Sequence, residues 1–342
     1  MRALMIHAAR DLRLEDVPEP IYAADEVLVQ LGAGGICGSD LHYFHHGGVG
    51  DFQLRQPMTL GHEVAGEIVA VGAEVTRVQA GERVAVNPSR PCLKCEQCLS
   101  GRSNLCPNMR FFGSAARFPH VQGAFAERFV ARQDQCEVIP AGLSYAVAAC
   151  AEPLAVTLHA VAQAGPLLGQ RVLIVGAGPI GVLLAASVRL AGSGELTVTD
   201  LQDAPLLVAV QMGAAHTVNV GDQELEGSFD VAFEASGSPA GLASALGALR
   251  PGGRLVQVGM LPRGLTEAPL NPLISRELTI VGSFRFHREY SWAAQLLASG
   301  RIDVTPILSA RFPLSRAQEA FELAADREKA VKVSLLPDGV TA

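Results

Sequence analysis

The chain has 342 residues, of which 49% are hydrophobic and 18% are charged, and its formal net charge is −7. This length and apolar content predict two packed domains and exclude a disordered chain. The acidic balance, without any basic block, argues against a nucleic-acid or anionic-membrane partner, so we expect a small-molecule ligand.

The N-terminus is not typical of a secretory signal. Residues 1–20 have only a short apolar run before charges resume, and no small-residue cleavage site follows it. The apolar run 182–191 is too short to cross a bilayer. We therefore expect a cytoplasmic protein whose seven cysteines are reduced, which favours metal binding or catalysis over disulfides.

Short strands dominate the first part of the chain. The segments EVLVQLGAGGIC, AGEIVAVG and GERVAVNP are rich in β-formers and end in Gly or Pro turns. Strands crowded this closely predict a β-barrel-like domain over residues 1–150. We expect the C-terminal segment 287–342 to complete that domain.

Two fragments of this domain contain the residue types that zinc accepts in catalytic sites. GGICGSDLH contains Cys37, and LGHEVAGE contains His62 and Glu63. A catalytic zinc needs three protein ligands and one open position, which these residues can supply, and Glu152 in CAEPLAV is a fourth candidate. A glycine-flanked cysteine or a lone histidine is more often a packed or hydrogen-bonded residue, so the interpretation depends on the other motifs.

The segment PCLKCEQCLSGRSNLC contains four of the seven cysteines. Four thiolates on one short loop can surround a tetrahedral zinc at ~2.3 Å and leave no position for water, so such a site holds shape and does not catalyse. The alternatives are a loop with reactive or disulfide-paired cysteines and an iron–sulfur cluster. The predicted structural ligands are Cys92, Cys95, Cys98 and Cys106.

From residue 151 onward, strands alternate with helices. RVLIVG, GELTVTD, TVNV, FDVAFEASG, GRLVQVGM and ELTIVGSF predict buried strands, with helical patterns between them. This alternation predicts a doubly wound parallel sheet covered by helices on both faces, over residues 151–286. Two amphipathic helices, SWAAQLLASG and SRAQEAFELAAD, and a last strand, AVKVSLL, follow.

The segment VLIVGAGPIG predicts a dinucleotide site. Gly176, Gly178 and Gly181 form G-x-G-x-x-G between a strand and a helix, where the helix N-terminus receives a pyrophosphate. Asp200 ends the next strand, where a carboxylate accepts hydrogen bonds from the adenosine ribose and repels a 2′-phosphate. No Lys or Arg occurs in residues 201–249, so NAD is favoured over NADP. The alternative is a structural turn without a cofactor.

The chain resembles the zinc-dependent medium-chain alcohol and polyol dehydrogenases over essentially its full length. The resemblance is carried by GGICGSDLHY, MTLGHEVAGEIVAVG, the four-cysteine segment, AEPLAV and GAGPIG. It implies a GroES-like β-barrel catalytic domain interrupted by a Rossmann domain, and a homotetramer or homodimer. It also implies a catalytic zinc on Cys37, His62 and Glu63, with Glu152 bound directly or through water. Alcohol dehydrogenases of this family have a second cysteine in the Glu152 region. The glutamate in this chain is instead typical of the polyol branch.

The resemblance further implies hydride transfer from a secondary hydroxyl to NAD. Ser39 and His42 resemble the family's proton relay, and Glu63 and Glu152 are the other catalytic candidates. A surface imidazole is the alternative interpretation of His42, and a non-catalytic NAD-sensing protein is the alternative for the whole chain. The implied cofactor-binding residues are Gly176, Gly178, Pro179, Ile180, Gly181, Asp200, Val258, Ser283 and Arg285.

NPSRPC, MRFFGSAARFPHVQGAF and VGSFRF favour the sugar-acid branch of the family, with neutral polyols such as sorbitol, xylitol or galactitol as the alternative substrates. A sugar acid requires a cation for its carboxylate, preferably an arginine. Arg285 and Arg110 are the candidates, and Tyr43 and Phe111 are expected beside the sugar chain. The alternatives are a solvated surface position for each arginine and a core position for Phe111.

Overall fold

The computed structural model describes residues 1–339. The chain divides into two compact units. The first comprises Met1–Glu152, Tyr290–Asp326 and the chain from Lys332 onward, and the second comprises Pro153–Glu289 and Arg327–Val331. The unit boundaries lie after Glu152 and Glu289, where the sequence predicts 150 and 286.

The first unit begins with twelve strands and three helices. The helices are α1 (Gly38–His46), α2 (Glu96–Leu99) and α3 (Tyr145–Ala149). The strands are β1 (Arg2–Ala8), β2 (Asp11–Asp16), β3 (Glu26–Gly35), β4 (Gly48–Val49), β5 (Phe52–Gln53), β6 (Met58–Thr59), β7 (Glu63–Val71), β8 (Arg83–Val86), β9 (Ser89–Arg90), β10 (Arg110–Phe111), β11 (Arg128–Arg132) and β12 (Cys136–Val138).

The second unit alternates strands and helices as predicted. Its helices are α4 (Ala151–Ala164), whose first two residues belong to the first unit, α5 (Pro179–Leu190), α6 (Asp203–Gln211), α7 (Pro239–Ala248) and α8 (Asn271–Ser275). Its strands are β13 (Arg171–Val175), β14 (Glu195–Asp200), β15 (His216–Asn219), β16 (Phe229–Glu234), β17 (Leu249–Gln257) and β18 (Thr279–Gly282). The chain then returns to the first unit through α9 (Glu289–Ala298), β19 (Leu308–Pro313), α10 (Ala317–Ala325) and β20 (Lys332–Leu336).

The main sheet of the first unit brings together the ends of strands that are far apart in sequence. Its order is β12-β8-β7-β3-β20-β19, and β11 also pairs with β3. Strand β3 is antiparallel to both β7 and β20, with Gly35 opposite Glu63 on one side and Ser334 on the other. Because neighbours in an antiparallel pair run in opposite directions, the end of β3 lies beside the beginnings of β7 and β20.

The sheet of the second unit has the order β15-β14-β13-β16-β17-β18, and every neighbouring pair is parallel. The predicted doubly wound parallel sheet is therefore confirmed. Chain order reverses between β13 and β16, and ligands of such sheets bind at this switch point, outside the carboxyl ends of the strands. A core of apolar side chains, among them Leu173, Phe229, Leu246 and Leu255, packs α7 against the sheet.

One helical stretch, Tyr145–Ala164, is long and apolar enough to cross a membrane by length and composition. Most of this stretch is buried inside the protein, which is typical of a core helix.

Candidate functional site

The first unit brings Cys37, His62 and Glu63 together. The Cys37 Sγ, a His62 ring nitrogen and a Glu63 carboxylate oxygen all lie within 4.8 Å of one another. Ligand atoms bonded to one zinc at 2.0–2.3 Å are roughly 3–4 Å apart, so small side-chain adjustments bring these three onto one ion. We refer to these three residues as the open set.

The register of the sheet explains why the open set converges. Cys37 follows the end of β3, and His62 and Glu63 stand at the beginning of β7. A Cβ atom on Gly35 would lie 2.2 Å from Oε2 of Glu63. Glycine is therefore required at this position if the Glu63 carboxylate is to stay where it is.

Lys332, the first residue of β20, binds the Glu63 carboxylate. Its Nζ lies 2.8 Å from Oε1 and 2.7 Å from Oε2 of Glu63, and it also donates to the carbonyl oxygen of Ile36 at 3.2 Å. Both side chains are almost completely buried. Burial alone would lower the pKa of Lys332, but the Glu63 carboxylate raises it, so the lysine keeps its charge beside that carboxylate.

Asp40 connects the two ligand-bearing segments. Its buried carboxylate accepts hydrogen bonds from the main-chain N–H of Cys37 at 3.0 Å and of Gly61 at 3.3 Å. Its Oδ1 also lies 3.8 Å from Nδ1 of His62, and Nδ1 has no hydrogen-bond partner in the described part of the chain. A metal-bound histidine commonly presents its second ring nitrogen to a carboxylate, and this arrangement leaves Nε2 for the metal.

Acidic groups crowd around the open set. Burial and the nearby Glu63 raise the pKa of the Cys37 thiol to about 12. Burial raises the pKa of Glu152 to about 8; His62 lowers that pKa and Glu63 raises it. Burial also raises the pKa of Asp40. A divalent cation would supply the positive charge that these acids need, and a thiolate, an imidazole and a carboxylate are ligands that suit zinc.

Helix α1, which begins directly after Cys37, carries the predicted relay residues. Ser39 is half-buried and His42 is exposed. This helix therefore runs from the open set to the surface within a few residues, which is the course that a proton relay requires. The relay itself stays a prediction.

The residues expected beside the substrate lie in different environments. Tyr43 is buried, and its hydroxyl accepts a hydrogen bond from the main-chain N–H of Ala115 at 2.9 Å. Phe111 is also buried, with its ring centroid 5.4 Å from that of His62. Arg110 is exposed on β10. Of the three, Phe111 is the one shown packed against a member of the open set.

The four remaining predicted ligands form a compact lobe, which we call the cysteine lobe. The Sγ···Sγ distances are 3.5 Å for Cys95–Cys98, 3.8 Å for Cys95–Cys106 and 3.5 Å for Cys92–Cys106. A tetrahedral zinc with bonds of ~2.3 Å spaces its ligands about 3.8 Å apart, so the lobe fits a closed zinc site. The free state of all four thiols agrees with metal binding and not with disulfides.

In the second unit, the glycine turn has the geometry of a dinucleotide site. Gly176 has φ of 98°, which favours glycine, and Gly178 caps the N-terminus of α5. Pro179 and Ile180 are the first residues of that helix. A Cβ atom on Gly181 would lie 1.8 Å from the carbonyl oxygen of Gly176, so only glycine lets the helix approach the turn.

Asp200, at the end of β14, is tied to this turn. Its Oδ2 accepts a hydrogen bond from the main-chain N–H of Ala177 at 2.6 Å. Its Oδ1 accepts from Leu201 at 2.7 Å and from Gln202 at 3.0 Å. Each carboxylate oxygen has two acceptor sites, so Oδ2 keeps one for a ribose hydroxyl.

The other predicted cofactor residues follow β17 and β18. The main-chain N–H of Val258 and of Ser283 each donate a hydrogen bond to the preceding strand of the sheet. Arg285 has φ of 54°, which is uncommon for a residue other than glycine, and its guanidinium lies 4.9 Å from the Phe284 ring centroid. Arg285 belongs to the second unit, and its role with cofactor or substrate stays a prediction.

Two residues of the site were missed by the sequence interpretation. Asp40 stands three residues after Cys37, a spacing that suits a reciprocal contact at a helix start. Lys332 is the one charged residue in the strand segment AVKVSLL, and a buried charge of this kind requires a partner. Both signals are visible in the sequence, but neither identifies the partner.

Two family models match the chain. The model described as the alcohol dehydrogenase GroES-like domain matches residues 23–141, and the model described as zinc-binding dehydrogenase matches residues 179–299.

Known proteins similar to this chain include dehydrogenases of two substrate types. L-idonate 5-dehydrogenase (NAD(P)(+)) of Escherichia coli K12 is 42% identical, with 90% of this chain and 91% of that protein covered. Sorbitol dehydrogenase of Bacillus subtilis is 39% identical, with 99% and 98% covered. The crystal structure of L-idonate 5-dehydrogenase from E. coli superposes with a TM-score of 0.93 at 39% identity, covering 98% of this chain and 97% of that one.

Proposed function

Because the chain belongs to the zinc-dependent medium-chain dehydrogenases, which act on CH–OH donors with NAD(P), we propose that it is an NAD-dependent L-idonate 5-dehydrogenase. The reaction would oxidise the C5 hydroxyl of L-idonate to give 5-keto-D-gluconate. The observation that carries the enzymatic assignment is the convergence of Cys37, His62 and Glu63 within 4.8 Å. The sugar-acid substrate is supported by the 42% identity to the E. coli enzyme.

The open set holds the catalytic zinc in this proposal, with Glu152 as a direct ligand or as the partner of a zinc-bound water. Zinc supplies Lewis acidity that lowers the pKa of a substrate hydroxyl. Asp40 fixes the main chain at Cys37 and stands beside Nδ1 of His62, and Lys332 fixes Glu63. The cysteine lobe holds a second, structural zinc.

The proton of the substrate hydroxyl leaves through Ser39 and His42. Both residues lie on helix α1, which begins directly after Cys37, and an imidazole can exchange protons with solvent near neutral pH. His42→Gln would then slow oxidation most near neutral pH, where a neutral imidazole can accept the proton and hydroxide is still scarce, and the defect should shrink at high pH.

NAD binds along the second unit, on the glycine turn and on the residues after β14, β17 and β18. Asp200 faces the adenosine ribose, and residues 201–249 contain no Lys or Arg to receive a 2′-phosphate. The residues proposed to contact NAD are Gly176, Gly178, Pro179, Ile180, Gly181, Asp200, Val258, Ser283 and Arg285. The name of the E. coli relative includes both cofactors, so the preference for NAD is to be tested with both.

A neutral polyol dehydrogenase acting on sorbitol, xylitol or galactitol is the second candidate. The 39% identity to the B. subtilis sorbitol dehydrogenase supports it. The two candidates differ in the need for a cation that receives the substrate carboxylate, and Arg285 is our first choice for that role and Arg110 the second. Tyr43 and Phe111 are proposed to line the sugar chain in either case.

A substrate panel separates the candidates. Initial rates of NADH formation are measured with L-idonate, sorbitol, xylitol and galactitol, each with NAD and with NADP. We expect kcat/KM to be highest for L-idonate with NAD. A higher kcat/KM for sorbitol than for idonate would replace the first candidate by the second.

Two arginine variants refine this result. Arg285→Gln should raise the KM for L-idonate about tenfold or more while leaving the KM for sorbitol within about twofold. Only the acid has a carboxylate that the arginine can bind. Arg110→Gln is the matched comparison on an exposed strand. Equal effects of Arg285→Gln on both substrates would assign Arg285 to NAD and not to the sugar acid.

We further propose that the enzyme is a cytoplasmic homotetramer or homodimer. Light scattering coupled to gel filtration measures the mass directly. A mass of one chain at micromolar concentration would contradict the oligomer.

A further inference from the structure

Glu234, the last residue of β16, is a buried carboxylate that the proposed chemistry does not use. It is 0% exposed, and in residues 1–339 it makes no ion pair with a basic side chain. A buried charge is costly unless hydrogen bonds replace its water, so the donors around Glu234 must hold a defined geometry.

Two chain segments supply those donors. Oε1 accepts hydrogen bonds from the main-chain N–H of Ser236 at 2.8 Å and of Gly237 at 3.0 Å, and from the Ser236 hydroxyl. Oε2 accepts from Nε2 of Gln257 at 2.5 Å. The carbonyl oxygen of Glu234 also accepts from the main-chain N–H groups of residues 258 and 259, at 2.9 and 2.8 Å. Glu234 thus joins the turn after β16 to the end of β17.

These two segments are packed closely around the carboxylate. A Cβ atom on Gly259 would lie 2.3 Å from the main-chain nitrogen of Gly237 and 2.7 Å from Oε2 of Glu234. Gly237 itself has φ of 66°, which favours glycine. The shape of both turns therefore depends on Glu234 remaining an acceptor of several N–H groups.

The turn after β16 is one wall of the switch-point crevice. A Cβ atom on Gly176 would lie 2.8 Å from the main-chain nitrogen of Ser236, so the glycine turn and this turn are in direct contact. Asp200, on β14, marks the adenosine half of the dinucleotide on the other side of β13. With the pyrophosphate at the switch point, the nicotinamide half would extend over the carboxyl ends of β16, β17 and β18.

We propose that Glu234 is a positioning residue for the nicotinamide half of the dinucleotide. Its carboxylate sets the main chain of residues 235–238 and 257–259, against which that half binds, without touching the cofactor. This inference rests on the proposed function, because it requires that the crevice bind NAD.

The test compares the whole cofactor with its adenosine half. In Glu234→Gln, one oxygen becomes an NH2 group that faces N–H donors, so the two turns lose part of their shape while the volume is kept. We expect the Kd of NADH, measured by its fluorescence, to rise tenfold or more. The Kd of AMP, measured by calorimetry, should stay within twofold, because AMP needs only the glycine turn and Asp200.

Glu195→Gln is the matched control. Glu195 begins β14 at the opposite end of the same sheet, where it pairs with Arg171 at a partly exposed position. This variant should leave both dissociation constants within twofold. If Glu234→Gln does not fold, Gln257→Met removes one donor to the carboxylate and should raise the Kd of NADH about threefold with AMP unchanged.

Four outcomes are decisive. Selective weakening of NADH supports the inference. Equal weakening of NADH and AMP, or no weakening of either in a folded variant, overturns it. A wild-type protein that binds neither NADH nor NAD would instead overturn the proposed function on which the inference rests.

Discussion

The cysteine lobe and the open set differ in how the protein holds their ligands. The lobe takes its four thiols from one segment of the chain, and their Sγ atoms already lie 3.5–3.8 Å apart. The open set takes one ligand from the residues after β3 and two from the beginning of β7. The Glu63 carboxylate binds Lys332 of β20. A local loop therefore brings together four candidate ligands, the number that closes a zinc site, whereas the pairing of distant strands brings together three.

The two sites also differ in the charge around them. Asp40, Glu63 and Glu152 are buried at or near the open set, and Lys332 forms an ion pair with Glu63. The cysteines of the lobe are mostly half-buried and pack against Met109 and Phe111. Loss of metal from the open set should therefore change its chemistry and electrostatics. Loss of metal from the lobe should mainly lower the stability of the lobe.

Single-ligand variants should show the largest contrast. Cys37→Ser should lower kcat/KM by about 10³-fold, because the zinc site loses its thiolate, and should leave the Kd of NADH within twofold. Cys98→Ser should lower the melting temperature but keep kcat per folded chain within about threefold. Cys150→Ser, at a buried cysteine that donates to the Ala146 carbonyl, is the control for cysteine loss. Unchanged turnover in Cys37→Ser would rule out the open set as the catalytic site.

Removal of Lys332 should have the next largest effect. Lys332→Met leaves the buried Glu63 carboxylate without its cation, so we expect the free energy of unfolding to fall by about 3–5 kcal/mol. The double variant Lys332→Met/Glu63→Gln removes both charges and should recover part of that loss. Denaturant unfolding of the two variants measures the difference. Equal stability of the single and double variants would contradict the account, because it would show that the unpaired Glu63 carboxylate costs no folding free energy.

The smallest predicted difference between the two sites is in the pH dependence of stability. Without zinc, burial holds the pKa of Glu152 at about 8, above its ordinary 4.5. Between these two values the folded chain binds more protons than the unfolded chain, so the free energy of unfolding falls as pH rises. We expect a fall on the order of 3 kcal/mol between pH 5 and pH 8 in chelator-treated protein.

Zinc at the open set should flatten this slope, and so should Glu152→Gln in the chelator-treated protein. Loss of zinc from the lobe alone, in Cys98→Ser, should not make the free energy of unfolding fall as pH rises. A slope that persists in Glu152→Gln would assign the titration to another group.

The local patterns of the sequence were sufficient for much of this molecule. The alternating strands and helices predicted the parallel sheet, and the spacing of Cys92, Cys95, Cys98 and Cys106 predicted a compact thiol cluster. Both depend on residues close in sequence, where periodicity and turn chemistry decide the outcome.

The remaining features depend on strand register, which local patterns do not encode. Lys332 and Glu63 are 269 positions apart, and only the pairing of β20 and β7 with β3 brings them together. Glu234 likewise ends a mostly apolar strand, and its donor Gln257 lies 23 positions away on β17, which pairs with β16. Contacts of this kind can be identified only once the pairing and register of the strands are known.

The most direct test of the two-site account is the zinc content of the wild type, Cys37→Ser and Cys98→Ser. We predict about two zinc ions per wild-type chain and about one in each variant, with activity surviving only where the open set is intact. Brief chelation of the wild type should remove one zinc together with the activity. A wild-type chain with one zinc, or a Cys37→Ser chain that keeps two, would contradict the account.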